Sequence, residues 1–342
     1  MMTYMPILKS KPAEFWACKH AAPMVLNNSR VLFEIVPSDN LNDAVEKFIA
    51  RADKNWPQQY IMTVDCGYIN PPNGSAVLQI AQELKLRKIR ERPVVRTSDS
   101  IQILQEVAAT CALHKEGACL RLGSIEQDPN PNITTAQISK LLNAIGLKTQ
   151  DVDVLIDFST VASMRDVTRC VPLAIKMLAW ANTNGPWRSV TIASGAFPPS
   201  ISNLSLGVVT SLQRYDANLF SLVIAAGPVI QPDYGDYAIN NPFLQPPAPR
   251  GPKPNLRYTS GLAWQVLRED TLLPGNQSFC TVCIKMVHSI HWAGRQYSAG
   301  DTEIERCSRQ VGGAGTATQW LEWGASHHMA HVIDRLANLG AP

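Results

Sequence analysis

The chain has 342 residues, 45% of them hydrophobic and 17% charged, with a formal net charge of +3. This is a globular composition, long enough for one large core or two smaller ones, and it excludes a disordered or fibrous chain. Arginines and lysines are spread rather than massed, so charge alone gives no clear nucleic-acid or membrane surface.

MPILK, ending at Lys9, reads as a strand, and PAEFWACKHAA as a helix with proline in its first turn. Six further strands follow in RVLFEIV, QYIMTVDC, RPVVRT, ACLRLG, VDVLIDFS and SVTIASGAFP. Between them a helical period recurs in LNDAVEKFIARADK, SAVLQIAQELKLRKI, SDSIQILQEVAATCALHK, TTAQISKLLNAIG and MRDVTRCVPLAIKMLAWANT. A helix from about Ser202 to Ala226 comes next, and YGDYAI or LRYT supplies an eighth strand. Seven or eight such pairs predict an α/β fold, a closed (β/α)8 barrel of the TIM type. An open doubly wound sheet is the alternative, but its glycine-rich turn is missing between Lys9 and Phe15.

From Asn240 the pattern breaks. NNPFLQPPAPRGPKPN has prolines at 242, 246, 247, 249, 252 and 254, which predicts a stiff arm over 241–256 following a barrel core of 1–240. The region 257–342 then contributes a hairpin in LRYTSGLAWQVLRED and helices in FCTVCIKMVHSI and TQWLEWGASHHMAHVIDRLANLG, completing the barrel. The start of the chain has no basic segment leading into a long apolar run, and the most apolar helical stretch is interrupted by Lys176. The expectation is a cytoplasmic protein with no membrane partner. Eight scattered cysteines, several inside apolar runs, suit reduced core thiols better than a disulfide framework.

Six of the strand-like segments end in a charge: Lys9, Glu34, Asp65, Arg96, Arg121 and Asp157. In a parallel barrel these ends share one mouth, where such folds carry their sites. Three cations beside three carboxylates can neutralise one another in a low-dielectric mouth, and the alternative reading is a set of ion pairs that only close the fold. Read as a site, Lys9, Arg96 and Arg121 hold an anion. Glu34, Asp65 and Asp157 then act as base or hold a divalent cation such as Mg.

A second polar group lies late in the chain: Tyr234, Asp236 and Tyr237, then Ser298 and Asp301, then His327 and His328. Asp236, Tyr237 and Asp301 are candidate substrate-binding residues, and a histidine is a candidate proton donor. Neighbouring helical residues point about 100° apart, so one histidine at most faces a given site. Ser194 in SGAFP offers a hydroxyl and adjacent amides to an anion. Zinc at Cys280, Cys283, His288 and His291 is disfavoured, because both cysteines lie in an apolar helical stripe and four residues separate Cys283 from His288.

Taken together, YMPILKSKPAEF, FEIVPSD, the strand ending at Asp65, LRLG, LIDFS, SGAFP, YGDYAI, LRYT with WQVLRED, YSAGD and the final HH resemble the bacterial and phage beta family proteins over nearly the whole chain. One departure is Glu269 after Arg268, where family members often have Arg-Gly. The resemblance implies a shared mouth built from Lys9, Glu34, Asp65, Arg121, Asp157, Asp236 and His327 or His328. It also implies a setting in phage defence or mobile elements, with no particular activity attached. The expectation is a barrel acting on a phosphate ester or nucleotide-like anion, as a phosphodiesterase-like hydrolase. The alternative is a non-catalytic ligand-binding or scaffold subunit with protein partners in a defence complex, for which the proline arm is the contact surface.

Overall fold

The computed structural model describes residues 2–69, 75–123, 128–245, 253–270 and 277–342. In chain order the elements are β1 (Tyr4–Lys9), α1 (Pro12–Lys19), α2 (Pro23–Asn27), β2 (Leu32–Glu34), α3 (Leu41–Asn55), β3 (Ile61–Asp65), α4 (Val77–Leu86), β4 (Arg90–Val95), α5 (Ile101–His114), β5 (Ala118–Gly123), α6 (Thr135–Ile145), β6 (Val152–Thr160), α7 (Met164–Asn184) and β7 (Ser189–Gly195). They continue with β8 (Val209–Gln213), α8 (Tyr215–Ala225), β9 (Asp233–Asp236), β10 (Asn255–Ser260), β11 (Ala263–Arg268), α9 (Ser278–Val287), α10 (Ala299–Ser308) and α11 (Ala317–Leu339).

Strands β1 to β7 and β9 close into one parallel barrel, β9 pairing with both β7 and β1. The fold is therefore an α/β barrel of the TIM type. YGDYAI supplies the eighth strand, while LRYT lies in a separate antiparallel sheet of order β10, β11, β8. That sheet corrects the helix expected from about Ser202 to Ala226: helix begins only at Tyr215. Gly207, at φ +77°, breaks the run, and the β-branched Val209 and Thr210 pair with Leu267 and Val266. The centre of the proline arm, 246–252, lies outside the described residues. Among those residues no helix is long and apolar enough to cross a membrane.

Strand alternation decides which side chains face the barrel lumen. Met5, Ile7, Leu32, Val94, Cys119, Leu155, Ala193 and Tyr237 form a small apolar cluster of their own, the lumen layer. Their neighbours Tyr4, Leu8, Phe33, Val95, Leu120 and Ile156 join the main core beneath the helices. Below the lumen layer, the Asp153 carboxylate accepts from Arg92 Nη1 at 2.7 Å and from Arg188 at 2.8 and 2.9 Å, which seals the N-terminal end. A second core, with Leu256, Tyr258, Phe279, Cys283, Trp320 and Trp323, fills the C-terminal lobe. The lobe meets the barrel through α11, which packs on α1 and β10. Gly324 permits this approach, because a Cβ there would lie 2.7 Å from the Arg257 carbonyl oxygen.

One outer-face residue sets a pH dependence. Glu91 is fully buried next to His114, whose Nδ1 accepts from the Glu91 amide and whose Nε2 lies 3.0 Å from the Ala81 carbonyl. With a neutral ring as its neighbour, burial pushes the Glu91 carboxyl up from 4.5 to about 8. The folded chain keeps this proton to higher pH than the unfolded chain. Its contribution is complete below about 4.5 and is lost as pH rises through 8. Glu91→Gln should therefore match the parent at pH 5 and exceed its stability at pH 9 by on the order of 2 kcal/mol in urea unfolding. Equal stabilities at pH 9 would reject this account.

Candidate functional site

Lys9, Glu34, Arg121 and Asp157 continue the lumen phase of Ile7, Leu32, Cys119 and Leu155, so they stack on the apolar layer at the C-terminal mouth. Arg121 is their centre. Its Nη1 donates to Asp65 Oδ2, its Nε and Nη2 to Asp157 Oδ2 at 3.0 and 2.6 Å, and its Nη2 to the Tyr237 hydroxyl at 2.8 Å. Glu34 Oε1 lies 2.9 Å from Nη2 as an ion pair, while Glu34 Oε2 takes the Lys9 ammonium. Arg96 grips Asp65 with a two-toothed fork, Nη1 to Oδ1 at 2.9 Å and Nη2 to Oδ2. Tyr237 donates to Asp157 at 2.7 Å.

The six strand-end charges thus meet in one neutral, buried cluster, only Arg96 being partly exposed. Burial alone would raise the Asp65 carboxyl, but Arg96 and Arg121 overcome it and hold it well below the usual carboxylate range. Burial opposes the charge on Arg121, yet Tyr237, Asp157, Glu34 and Asp65 together raise its pKa well above normal. The three carboxylates do not suit a divalent ion, since the Arg121 guanidinium lies between them. Among the described residues no group of His, Cys, Asp or Glu is arranged to hold a metal. Asp65, Asp157 and Asp236 each also accept from the amide two residues on, those of Gly67, Ser159 and Ala238 at 2.8, 2.8 and 2.9 Å. The last two have φ of +53° and +52°, so aspartate at these strand ends shapes the turn as well as carrying charge.

Of the late polar residues Tyr237 joins this cluster, while Asp236, Asp301, His327 and His328 do not, which corrects the expectation of one shared mouth. On β9 the lumen phase belongs to Gly235 and Tyr237, so Tyr234 and Asp236 face outward, and Ser194 is in register with Asp236. Asp236 sits in a second buried network, taking bonds from Tyr4 at 2.5 Å, Tyr234 at 3.0 Å and Arg214 at 3.2 Å, with His328 Nε2 at 2.9 Å. Arg214 also reaches Asp216, and Thr259 meets His328 Nδ1 at 2.7 Å. His327 points elsewhere, with Nδ1 2.9 Å from Asp301 and Nε2 2.8 Å from the Thr259 carbonyl, stacked on Tyr258. Both histidines and Asp301 are fully buried inside the C-terminal junction. The adjacent histidines do face different partners, as helical geometry requires.

Beside the mouth opens a cavity of about 180 Å³, lined by Lys9, Lys11, Asn240, Asn241, Gln245 and Arg257 together with prolines and apolar groups. Among the described residues no carboxylate lines it. Arg257 comes from the barrel-facing side of β10. Its Nη1 donates to the Ile239 carbonyl at 2.7 Å and to Asn240 Oδ1 at 3.1 Å, its plane covers the Phe197 ring, and its buried Nε has no partner. Behind this wall Glu14 accepts from Asn240 Nδ2 at 3.0 Å through one oxygen and leaves the other unpaired. Burial pushes the Glu14 carboxyl up to about 7 and the Arg257 guanidinium down to about 10. Glu14, Lys11 and Arg257 were not singled out from sequence. The available signals were a lone carboxylate in the first apolar turn of α1 and an arginine inside a strand.

Fold and mouth define a TIM-type barrel with an internally neutralised ionic mouth and a cationic rim cavity. A family model described as Beta protein matches residues 4–334, so the chain belongs to the Beta protein family. No curated protein matches it. Among solved structures it is similar to the catalytic domain of a hyperthermophilic chitinase from Pyrococcus furiosus, at 10% identity and TM-score 0.38, covering 69% of this chain and 83% of that one. It is also similar to a 3-hexulose-6-phosphate synthase, at 12% identity and TM-score 0.34, covering 69% and 89%.

Arg121 provides a direct test of the mouth. Arg121→Met leaves Asp157 buried without a cation and takes one of two cations from Asp65 and from Glu34, and should cost about 3–5 kcal/mol in chemical unfolding. Arg90→Gln, on an exposed arginine at the opposite end, should cost under about 0.5 kcal/mol. Similar losses for the two variants would show that the cluster does not hold the barrel together.

Proposed function

We propose that the protein binds an anionic small molecule, with a phosphate or similar oxyanion head seated in the rim cavity against Lys11 and Arg257. The observation carrying this reading is a mouth-side cavity lined by Lys11, Arg257, the Glu34-paired Lys9 and three side-chain amides, with no carboxylate among the described lining residues. The Arg257 guanidinium supports a charge-assisted bond to a bound oxygen, and Asn240, Asn241 and Gln245 supply neutral donors. The volume suits an oxyanion head, and the rest of a phosphate ester or nucleotide would extend from the opening. Arg96, Arg121 and the strand-end carboxylates serve as the scaffold behind the cavity, because their charges are already paired.

A hydrolytic reading, phosphodiesterase-like, is favoured by Glu14 alone: a carboxyl titrating near 7 next to the cavity wall could carry a proton to a leaving oxygen. Membership of a phage-defence complex belongs to the same proposal, and its partners are tested separately by copurification.

Sulfate, dianionic throughout the range, is the simplest probe. Binding should tighten as pH falls from 8 to 6, because Glu14 gains a proton and the cavity wall becomes more positive. Arg257→Gln should weaken sulfate binding roughly tenfold or more in calorimetry, as expected for losing a charged hydrogen bond. Glu14→Gln should bind tightly at every pH. No heat and no thermal shift with sulfate, phosphate or nucleotides would sink the proposal, and product from a nucleotide mixture that is lost in Glu14→Gln would establish the hydrolytic reading.

A further inference from the structure

The C-terminal lobe holds a feature unrelated to the mouth. Cys280 and Cys283 lie three residues apart on one face of α9, and Cys307 faces them from α10. Cys280 Sγ is 3.2 Å from Cys307 Sγ, closer than two sulfurs in ordinary packing, and Cys283 packs in the same small core. The five other cysteines are single buried thiols belonging to the barrel cores.

We infer that Cys280, Cys283 and Cys307 form a peroxide-responsive thiol site, in which Cys307 is oxidised first and is then captured as a disulfide by Cys280, with Cys283 as the alternative partner.

The contact geometry supports this order. Cys307 sits on α10 facing the α9 side that carries both other thiols, in direct contact with Cys280, so it is the common member of either interhelical disulfide. Hydrogen bonding from Cys283, outweighing the opposing effect of burial, and then from Cys280 brings its thiol down to about 7, with Arg306 adding in the same direction. Burial raises the other two thiols, leaving them as proton-bearing partners. Cys280 is 7% exposed, which places the trio at a shallow depth for a small oxidant.

The chemistry closes without further reagents. The Cys307 thiolate attacks one oxygen of hydrogen peroxide, the S–O bond forms as the O–O bond breaks, and the hydroxide released takes a proton to become water. Cys280 then attacks the sulfenic sulfur, forming the S–S bond as the S–O bond breaks, and its thiol proton leaves with the hydroxyl as a second water. Two thiols and one peroxide give one disulfide and two waters. Covalent geometry requires the sulfurs to close from 3.2 Å to about 2.05 Å, a small shift for two packed helices.

The full-length protein, treated with a few equivalents of hydrogen peroxide under native conditions and alkylated after denaturation, should lose about 2 Da and two alkylation sites. Peptide mapping should place the bond between Cys307 and Cys280, and dithiothreitol should reverse it. Cys280→Ser should move the bond to Cys283 and Cys307, and Cys307→Ser should abolish it. The wild-type map needs no variant to fold. Eight alkylatable thiols after treatment, a disulfide elsewhere, irreversible oxidation of a single cysteine, or a bond persisting in Cys307→Ser would each overturn the inference.

Discussion

The structure turns on one buried guanidinium. Arg121 brings a fixed positive charge into a lumen that also contains Glu34, Asp65 and Asp157, all sealed from water. No member of this set is tolerable alone, because an unpaired charge in a low-dielectric interior costs several kcal/mol. Each one therefore requires its neighbours, and they come from β2, β3, β5 and β6. A slip of one residue in any of those strands would turn its charge outward and expose the rest. The ionic layer thus specifies the barrel register as well as covering its top.

This arrangement also divides the barrel interior into three levels. Arg92, Asp153 and Arg188 close the N-terminal end, an apolar layer fills the middle, and the Arg121 cluster forms the third level. Both ionic levels pair their charges internally, so the lumen itself offers little to a charged ligand. The chemistry available to a charged partner lies one shell further out, where Lys11 and Arg257 border the cavity and Glu14, behind Asn240, is held largely as the acid below neutrality. The mouth supports the rim, and the rim meets solvent.

Much of this was legible in the sequence. Short apolar runs ending in charges reported the strand ends, because a parallel barrel directs all of them to one face and period-two alternation put Lys9, Glu34, Arg121 and Asp157 in one phase. The same rule, followed one residue further, would have separated Tyr237 from Asp236: in YGDY, Gly235 and Tyr237 share a face and Asp236 lies on the other. Strand β8 escaped because its polar alternation sits beside a strongly helical run, and only Gly207 marks the break. The rim cavity was hidden for a different reason. Glu14 lies 226 positions before Asn240, Arg257 lies 17 beyond it on a different sheet, and each is ordinary in its own segment.

The C-terminal lobe joins these parts. Strand β10 turns Leu256 and Tyr258 into the lobe's own core and presents Arg257 and Thr259 to the barrel. Arg257 reaches the rim, while Thr259 holds His328 against Asp236 on the outer wall of β9. Burial works against charge on His328, and Asp236 works for it. The outer network and the rim therefore share one strand, and β10 cannot move against α11 without shifting both, because Gly324 brings that helix close to the Arg257 backbone. The lobe is a positioning element for the rim: it places an arginine from a separate sheet over the mouth of a barrel whose own charges are already committed.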